Sequence, residues 1–238
     1  MVGSSEFMHK GADWIMVSGR SMNFLDPSLR ACCNALMSLS EESNHLQALL
    51  VVGNRSQEST TRSVVMHLGQ QMAALGCQVE TFDYAQEDLP LFDVSTAFSG
   101  PVYASLKKRV LQADVIVLGT PDYHGSMSSA LKNFLDHFWK EFAGKLFGSI
   151  VGSHEKGLTV HDQIRTVLRQ CYAWSLPYGV SFMDKADLSE GAVSSEGLTK
   201  KLDGMAHDLC AYGKVLAAQR RSDLSGEGPG FLEHYRSA

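Results

Sequence analysis

The sequence predicts an α/β fold of the doubly wound type, in which helices cover both faces of a parallel sheet. Three observations lead to this prediction. Short apolar runs alternate with segments whose apolar residues recur at helical spacing, and the alternation continues from residue 46 to residue 216. The apolar run at residues 115–119 stops abruptly before Thr-Pro, as a buried parallel strand does. A chain of 238 residues is also long enough to bury one full core.

Each element of this fold follows from its own local pattern. Strands are predicted at residues 46–52, 77–82, 114–119, 146–152 and 174–183. Helices are predicted from Ser59 or Thr60 to Gly76 and at residues 102–113, 127–139, 158–171 and 198–216. Pro177 is expected to break the last strand, because proline cannot donate a hydrogen bond to a neighbouring strand. Five strands that alternate with five helices favour a single sheet with helices on both sides.

The two ends of the chain fall outside this alternation. Residues 1–44 are predicted to form an N-terminal arm with one short helix, which starts at Asp26 and Pro27. Residues 1–7 are open to interpretation as an expression tag, with Met8 as the natural start. Residues 45–221 are assigned to the main domain, and residues 222–238 to a loose C-terminal tail.

Composition narrows the classes of function. The net charge is −5 and no basic block is present, which argues against a nucleic-acid partner. No apolar run is long enough to span a bilayer, and the N-terminus lacks the apolar core of a signal peptide, so no membrane partner is expected. The five cysteines are an odd number without C-x-x-C spacing, which favours reduced thiols in a cytoplasmic protein.

The turn after the first strand is rich in hydroxyl groups and leads directly into a helix. Free backbone N–H groups and the positive dipole end of a helix attract phosphate there. The candidate phosphate-binding residues are Arg55, Ser56, Ser59, Thr60 and Thr61. The turn has neither the Gly-Lys-Ser/Thr ending of a nucleotide P-loop nor a Gly-x-Gly-x-x-Gly pattern. A monophosphate such as that of flavin mononucleotide (FMN) therefore fits better than a triphosphate, and simple helix capping by Ser59 is the alternative.

Two further turns are expected beside the first, because the carboxyl ends of parallel strands share one edge of the sheet. After the third strand, the candidate residues are Pro121, Asp122, Tyr123, His124, Gly125 and Ser126. Their backbone donors and acceptors match the pyrimidine edge of an isoalloxazine ring, and Tyr123 can pack near that ring. After the fourth strand, the candidate residues are Ser153, His154 and Gly157. An ordinary strand-to-helix turn and a solvated loop are the respective alternatives.

Together these segments resemble the NADPH-dependent FMN reductase family, which includes related quinone, azo dye and chromate reductases. The family has a phosphate loop similar to Gly-Ser-x-Arg-x-x-Ser-x-Asn/Thr, a second loop Pro-Glu-Tyr-Asn-Gly-Ser, a helix Leu-Lys-Asn-x-x-Asp, and Gly-Lys before strand four. The matching positions are Gly53, Ser59, Thr61, residues 121–126, Leu131-Lys132-Asn133 with Asp136, and Gly144-Lys145. The resemblance covers about residues 46–185. Arg55 stands one position earlier than the family's arginine, Asp122 replaces glutamate, and His124 replaces asparagine.

The resemblance implies a flavodoxin-like fold with a five-stranded sheet of order 2-1-3-4-5 between two helical layers. It also implies FMN as cofactor and NADPH or NADH as co-substrate. The implied reaction passes hydride through FMN to a flavin, quinone, azo compound or metal oxyanion. The flavin carries the chemistry, so no catalytic residue and no metal ligand is assigned.

Two other functions and the state of assembly stay open at this point. A one-electron carrier of the flavodoxin kind, or a flavin-free scaffold or regulatory protein, could share the fold. The moderate net charge favours a reductase over an acidic carrier. The aromatic residues Phe138, Trp139 and Phe142 suggest a subunit interface, and hence a homodimer or homotetramer.

Overall fold

A computed structural model describes residues 45–154 and 156–236 of the chain. The arm predicted at residues 1–44 lies outside the described residues. The strands are β1 (Gln47–Val52), β2 (Gln78–Asp83), β3 (Val115–Tyr123), β4 (Ser126–Met127), β5 (Leu146–Gly152), β6 (Trp174–Ser175), β7 (Val180–Phe182), β8 (Leu188–Ser189) and β9 (Ala192–Val193). The α-helices are α1 (Thr60–Ala74), α2 (Pro101–Gln112), α3 (Ser129–Asp136), α4 (Leu158–Gln170), α5 (Asp184–Asp187) and α6 (Glu196–Ser225). Short 3₁₀ turns occupy Lys140–Phe142 and Glu233–Tyr235.

The parallel sheet has the order β2-β1-β3-β5, followed by β6 and β7, which both pair with β5. The two short strands β6 and β7 together occupy the position of the predicted fifth strand. They are separated at Pro177, where the sequence predicted the break. The predicted order 2-1-3-4-5 and the flavodoxin-like architecture are therefore confirmed.

The core consists of two apolar layers, one on each face of the sheet. Successive strand residues point to opposite faces, so Leu50 packs with α1 and α6 while Leu49 packs with α2, α3 and α4. Both side chains are fully or almost fully buried. A sheet that is covered on both faces needs continuous apolar strands, and this requirement explains the unbroken run of apolar residues in β1.

The structure differs from the sequence prediction around the second turn. β3 continues to Tyr123 and forms a short antiparallel hairpin with β4, where the sequence predicted a loop. The following helix α3 starts at Ser129 because the Ser128 side chain caps it by accepting the Leu131 N–H at 3.1 Å. Phe138 and Phe142 lie in the core, whereas Trp139 is 63% exposed. Phe138 is therefore an internal residue, and its assignment to a subunit interface was wrong. Phe142 is fully buried, so its assignment to a subunit interface was also wrong.

The C-terminal tail also differs from the prediction of a loose segment. Helix α6 continues to Ser225, beyond residue 216. The chain then turns back, and Leu232 is buried with only 2% of its surface exposed. The Phe231 ring stacks on Tyr172 with a centroid distance of 6.5 Å. The tail is thus attached to the domain by apolar contacts that have no periodic signal in the sequence.

None of the described helices combines the length and the apolar character that a membrane crossing needs. Within residues 45–154 and 156–236, no three His, Cys, Asp or Glu side chains gather as a metal site would require.

Candidate functional site

The carboxyl ends of β1, β3 and β5 meet at one edge of the sheet, because these strands are parallel neighbours. The turns that follow them enclose an open cavity of about 320 Å³. Its lining comprises Asn54, Ser56, Glu58, Ser59, Thr60, Thr61, Pro121, Asp122, Tyr123, Gly152, Ser153, His154 and Asp184. The edge of the sheet at which the sequence predicted a ligand therefore contains a cavity.

The first turn ends at the amino terminus of α1. The Ser59 side chain caps this helix by accepting the Arg62 N–H at 3.3 Å, which is the role that the sequence offered as the alternative to phosphate binding. The backbone N–H groups of Thr60 and Thr61 donate to no other atom of the described chain, and both residues line the cavity. Unpaired N–H groups and the positive end of the helix dipole create a position suited to an anion.

Arg62 holds this turn in place, a role that was not predicted from the sequence. Its guanidinium binds the carboxylate of Asp83 at the end of β2 and donates to the carbonyls of Gln57 at 2.6 Å and Ser56 at 3.0 Å. The hydrogen bond to Asp83 raises the pKa of Arg62 above its ordinary value. The carbonyl oxygens of the turn are thereby directed toward Arg62, so they cannot face a bound anion.

Arg55, the arginine that the sequence did select, lies apart from the cavity. Its guanidinium pairs with the exposed carboxylate of Asp88 at 2.8 Å and lies 5.0 Å from the centre of the Tyr84 ring. Arg55 does not contribute to the cavity lining. In this structure Arg55 forms an ion pair with Asp88 at the surface and does not contribute its charge to the cavity.

Gly53 lets the first turn lie directly against helix α3. Its N–H donates to the Gly119 carbonyl at 2.8 Å, and its carbonyl accepts the Ser128 hydroxyl at 2.5 Å. A Cβ atom on Gly53 would come within 2.7 Å of the Leu131 Cβ. Only glycine allows this approach, which fixes the distance between the first and second turns.

The second turn is the tip of the β3–β4 hairpin. His124 and Gly125 both have positive φ, 58° and 76°, as a two-residue type I′ turn requires. The Asp122 carboxylate accepts the Gly125 N–H at 2.7 Å and the Ser153 hydroxyl at 2.9 Å. Asp122 therefore stabilises the hairpin and also connects it to the third turn.

Gln163 of helix α4 holds the other side of the hairpin and was also missed from the sequence. Its amide accepts the Ser126 hydroxyl at 2.9 Å and donates to the Gly125 carbonyl at 3.0 Å. Ser126 consequently faces α4, and it does not line the cavity. The side chains of Asp122 and Gln163 therefore hold the hairpin from both sides.

The third turn rests on a buried polar network. His161 contacts the Ser149 hydroxyl through Nδ1 at 2.7 Å and the Ser181 hydroxyl through Nε2 at 3.0 Å. The Ser181 hydroxyl donates to the Lys156 carbonyl, so it must accept from Nε2. His161 thus carries its proton on Nε2 and accepts at Nδ1, and burial lowers its pKa below the ordinary value. This network fixes the backbone that follows Ser153.

A second cavity of about 860 Å³ adjoins the first and shares part of its lining. Its walls include Asp122, His124, Gly125, Ser153, His154, Lys156 and Gly157. Of the residues predicted from the sequence, Arg55 and Ser126 alone line neither cavity. The structure thus brings the other twelve predicted residues to one edge of the sheet.

The profile of the family described as NADPH-dependent FMN reductase matches residues 46–187, which is more than half of the chain. The chain belongs to this family. The matched segment contains all three turns and ends just beyond β7. The resemblance seen in the sequence motifs is thereby confirmed.

Individual relatives agree with this assignment over a shorter length. The FMN-dependent NADPH-azoreductase of Staphylococcus aureus is 33% identical over 101 residues, which are 39% of this chain and 52% of that protein. The chain spans about half the length of the curated relatives it matches.

Solved structures of low sequence identity share the fold. RosB with the bound intermediate OHC-RP has a TM-score of 0.59 and 16% identity over 78% of this chain and 90% of that chain. The NADH:FMN oxidoreductase EMOB has a TM-score of 0.57 and 18% identity over 71% and 89% of the two chains. FerB of Paracoccus denitrificans has a TM-score of 0.56 and 18% identity over 73% and 98%.

The cavity of this family member is compatible with FMN, although its charges are unusual for a phosphate site. The lining contains the carboxylates of Glu58, Asp122 and Asp184 and neither lysine nor arginine. Glu58 and Asp184 are exposed to solvent, and Asp122 is occupied by its two hydrogen bonds. The donors available to a phosphate are therefore neutral, namely the N–H groups and hydroxyls at the start of α1.

Proposed function

We propose that the protein is an FMN-dependent NAD(P)H oxidoreductase that reduces a flavin, quinone, azo compound or metal oxyanion. One observation carries the proposal: Thr60 and Thr61, whose N–H groups donate to no other atom of the described residues, line the same cavity as Pro121, Asp122 and Tyr123. Bound FMN would supply the redox chemistry, namely hydride transfer from NADPH or NADH and reduction of the second substrate.

The chain's own contribution is to bind and orient. The start of α1, with the hydroxyls of Ser56, Thr60 and Thr61, would hold the phosphate. The backbone groups of residues 121–126 that the hairpin's own hydrogen bonds leave available would hydrogen-bond the pyrimidine edge of the flavin. Tyr123, which is 55% exposed, would cover part of the ring. Since neither role requires proton transfer by the protein, we assign no catalytic acid or base.

The second cavity provides space for the co-substrate beside the flavin. It is larger than the first, and the basic side chains of His124, His154 and Lys156 line it. These side chains suit the phosphates of NADPH or NADH, or an anionic acceptor. An azo acceptor is supported by the similarity to the FMN-dependent NADPH-azoreductase of Staphylococcus aureus.

The decisive experiment is a flavin-binding titration combined with a turnover assay. The purified protein should quench FMN fluorescence and then oxidise NADPH in the presence of a quinone. Thr61→Val keeps the buried shape and removes the hydroxyl, so it should weaken FMN binding, by roughly 1 kcal/mol for a lost neutral hydrogen bond. Thr166→Val, on the exposed side of α4, is the matched control.

Each alternative function predicts a different result in the same assay. FMN binding without NADPH oxidation would favour an electron carrier, and absence of FMN binding would favour a flavin-free scaffold. NADPH and NADH are then compared at equal concentration, with a quinone, a sulfonated azo dye and chromate as acceptors, to identify the preferred pair.

We also propose that the protein is a homodimer or homotetramer. The exposed Trp139 lies on one wall of an aromatic cavity of about 460 Å³ that Phe92 and Phe98 also line. Exposed aromatic patches of this kind are common at subunit interfaces. Trp139→Ala should shift the mass measured by light scattering toward the monomer, whereas Tyr212→Ala, an exposed aromatic on α6, should leave it unchanged. A cytoplasmic location remains a proposal that rests on the cysteine content.

A further inference from the structure

Two buried thiols are in contact at the amino-terminal end of β2, whereas the candidate site lies at the carboxyl ends of the strands. Cys77 directly precedes β2, and Cys210 lies in the middle of α6, 133 residues further along the chain. Their Sγ atoms are 2.8 Å apart, and the two residues are only 6% and 5% exposed. A disulfide bond is about 2.05 Å long, so only a small movement separates the observed contact from a covalent bond.

The surroundings of the two sulfur atoms differ in a way that favours reaction. The two thiols share a hydrogen bond in which either sulfur can be the donor. This bond lowers the pKa of Cys77 against the opposing effect of burial. The positive charge of Lys214 acts on Cys77 in the same direction. The same contact raises the pKa of Cys210. Cys77 is thus the better nucleophile of the pair, and Cys210 is placed to resolve an oxidised Cys77.

We propose that Cys77 and Cys210 form a site of reversible oxidation, in which hydrogen peroxide converts the two thiols to an intramolecular disulfide. In the first step the Cys77 thiolate attacks one peroxide oxygen, the O–O bond breaks, and a sulfenic acid and hydroxide form. In the second step the Cys210 sulfur attacks the Cys77 sulfur. The S–O bond breaks, its oxygen leaves as water with the thiol proton, and the S–S bond forms. The hydroxide of the first step takes up the proton that Cys77 released. The balance is therefore two thiols and one peroxide to one disulfide and two waters.

The bond would connect the start of the edge strand β2 to the long helix α6. Helix α6 is held in the core by apolar side chains such as Leu202, Met205 and Leu209. A covalent link between elements so distant in sequence restricts the unfolded chain, so the oxidised protein should unfold at a higher temperature. The candidate flavin site should be unaffected, since it lies at the other end of β2, about 17 Å away for a strand that rises about 3.3 Å per residue.

Cys171 supplies the internal control. It is also buried, at 8% exposure, and burial alone raises its pKa. Cys171 has no thiol partner among the described residues. If burial or general reactivity determined oxidation, Cys171 would react as readily as Cys77.

The test uses the full-length chain with Cys32→Ser and Cys33→Ser, which leaves three of the five cysteines. The reduced protein is treated with hydrogen peroxide, free thiols are counted after denaturation, and peptides are mapped by mass spectrometry without reductant. We expect one free thiol, a linked peptide pair that contains Cys77 and Cys210, and a melting temperature that falls again after dithiothreitol. Cys171→Ala should retain the link, and Cys210→Ala should abolish it and slow the alkylation of Cys77 by iodoacetamide.

Retention of all three thiols after peroxide treatment, or a link that involves Cys171, would overturn the proposal. If Cys210→Ala fails to fold, Cys77→Ser takes its place, and the mapped peptides of the parent chain decide the question on their own. FMN binding measured on the same samples is a separate readout, so the two proposals can fail independently.

Discussion

At the scale of single residues, the site depends on a few side chains that fix backbone shape. His124 occupies a left-handed conformation that most L-residues avoid, and histidine tolerates it better than β-branched residues do. Asparagine, which the family has at this position, shares that tolerance. The replacement of asparagine by histidine therefore preserves the turn and adds a ring to the wall of the second cavity.

This conformation gives a prediction for His124. His124→Val should destabilise the protein by about 1–2 kcal/mol, because a β-branched side chain clashes at positive φ. His124→Asn should leave the free energy of unfolding nearly unchanged. Urea denaturation of the two variants makes the comparison, and equal stability of both would show that the turn is not left-handed in solution.

Arg62 and Arg55 provide a matched pair for the second prediction. Arg62→Met leaves the buried Asp83 carboxylate without its cation and should cost about 3–5 kcal/mol. Arg55→Met removes only an exposed ion pair with Asp88 and should cost about 0–1 kcal/mol. Thermal unfolding would measure the difference, and FMN affinity should fall in the first variant alone. A larger loss of FMN affinity in Arg55→Met would restore Arg55 to the site.

At the scale of elements, Lys145 shows how the turn before β5 is held. Its side chain is only 1% exposed, and its ammonium group donates to the carbonyls of Leu111 at 3.0 Å and Ala113, at the end of α2. Burial, with a smaller effect from the charge of Arg220, lowers the pKa of Lys145 to about 7. The amine can therefore be neutral in the folded protein while its two N–H groups still bind both carbonyls.

The lowered pKa predicts a pH dependence of stability. Between about pH 7 and about pH 10.5 the unfolded chain binds one more proton at Lys145 than the folded chain, so stability rises with pH in this window. Relative to Lys145→Met, the wild type should gain up to roughly 1.4 kcal/mol per pH unit above pH 7. Urea denaturation of both proteins at about pH 6, 7.5 and 9 tests this. Parallel pH profiles would contradict the assignment.

Most elements could be predicted from local sequence patterns, and the exceptions have a common cause. Strand β5 begins and ends where its apolar run does, and Pro177 interrupts the fifth strand as expected. The β3–β4 hairpin was missed because its two strand positions after Pro121 carry polar or aromatic residues, which have no alternating pattern. The β8–β9 hairpin was missed because each of its strands is only two residues long, which is too short to show an alternating pattern. It too turns through two positive-φ residues, Glu190 and Gly191.

The residues of the site also divide into those that local sequence patterns predict and those that depend on distant contacts. Ser59 and the 121–126 turn are visible locally, since capping and tight turns are properties of a few adjacent residues. Arg62 and Gln163 were not predicted, because their partners lie 21 and 37 residues away and are brought near only by the completed sheet. Phe138 was misassigned because the sequence shows that an aromatic residue needs burial but does not show what covers it.

At the scale of the whole molecule, the C-terminal tail contributes to the stability of the domain. Leu232 packs beside Gly144 and Arg220, at the end of the domain that carries Lys145. Leu232→Ala should lower the free energy of unfolding by about 2–5 kcal/mol, whereas Val215→Ala, exposed on α6, should change it by less than about 0.5 kcal/mol. Chemical denaturation measures the free energy of unfolding of both variants. Equal losses of stability in the two variants would mean that the tail is detached in solution.

The interrupted fifth strand has a consequence for the protein in a crowded solution. A long, uninterrupted outer strand would offer its free peptide groups to other polypeptides and could start a growing fibril. In this protein the outer strand is divided into the two residues of β6 and the three residues of β7, with Pro177 between them. Pro177→Val would allow the two short strands to join into one outer strand. We expect this variant to aggregate at high protein concentration.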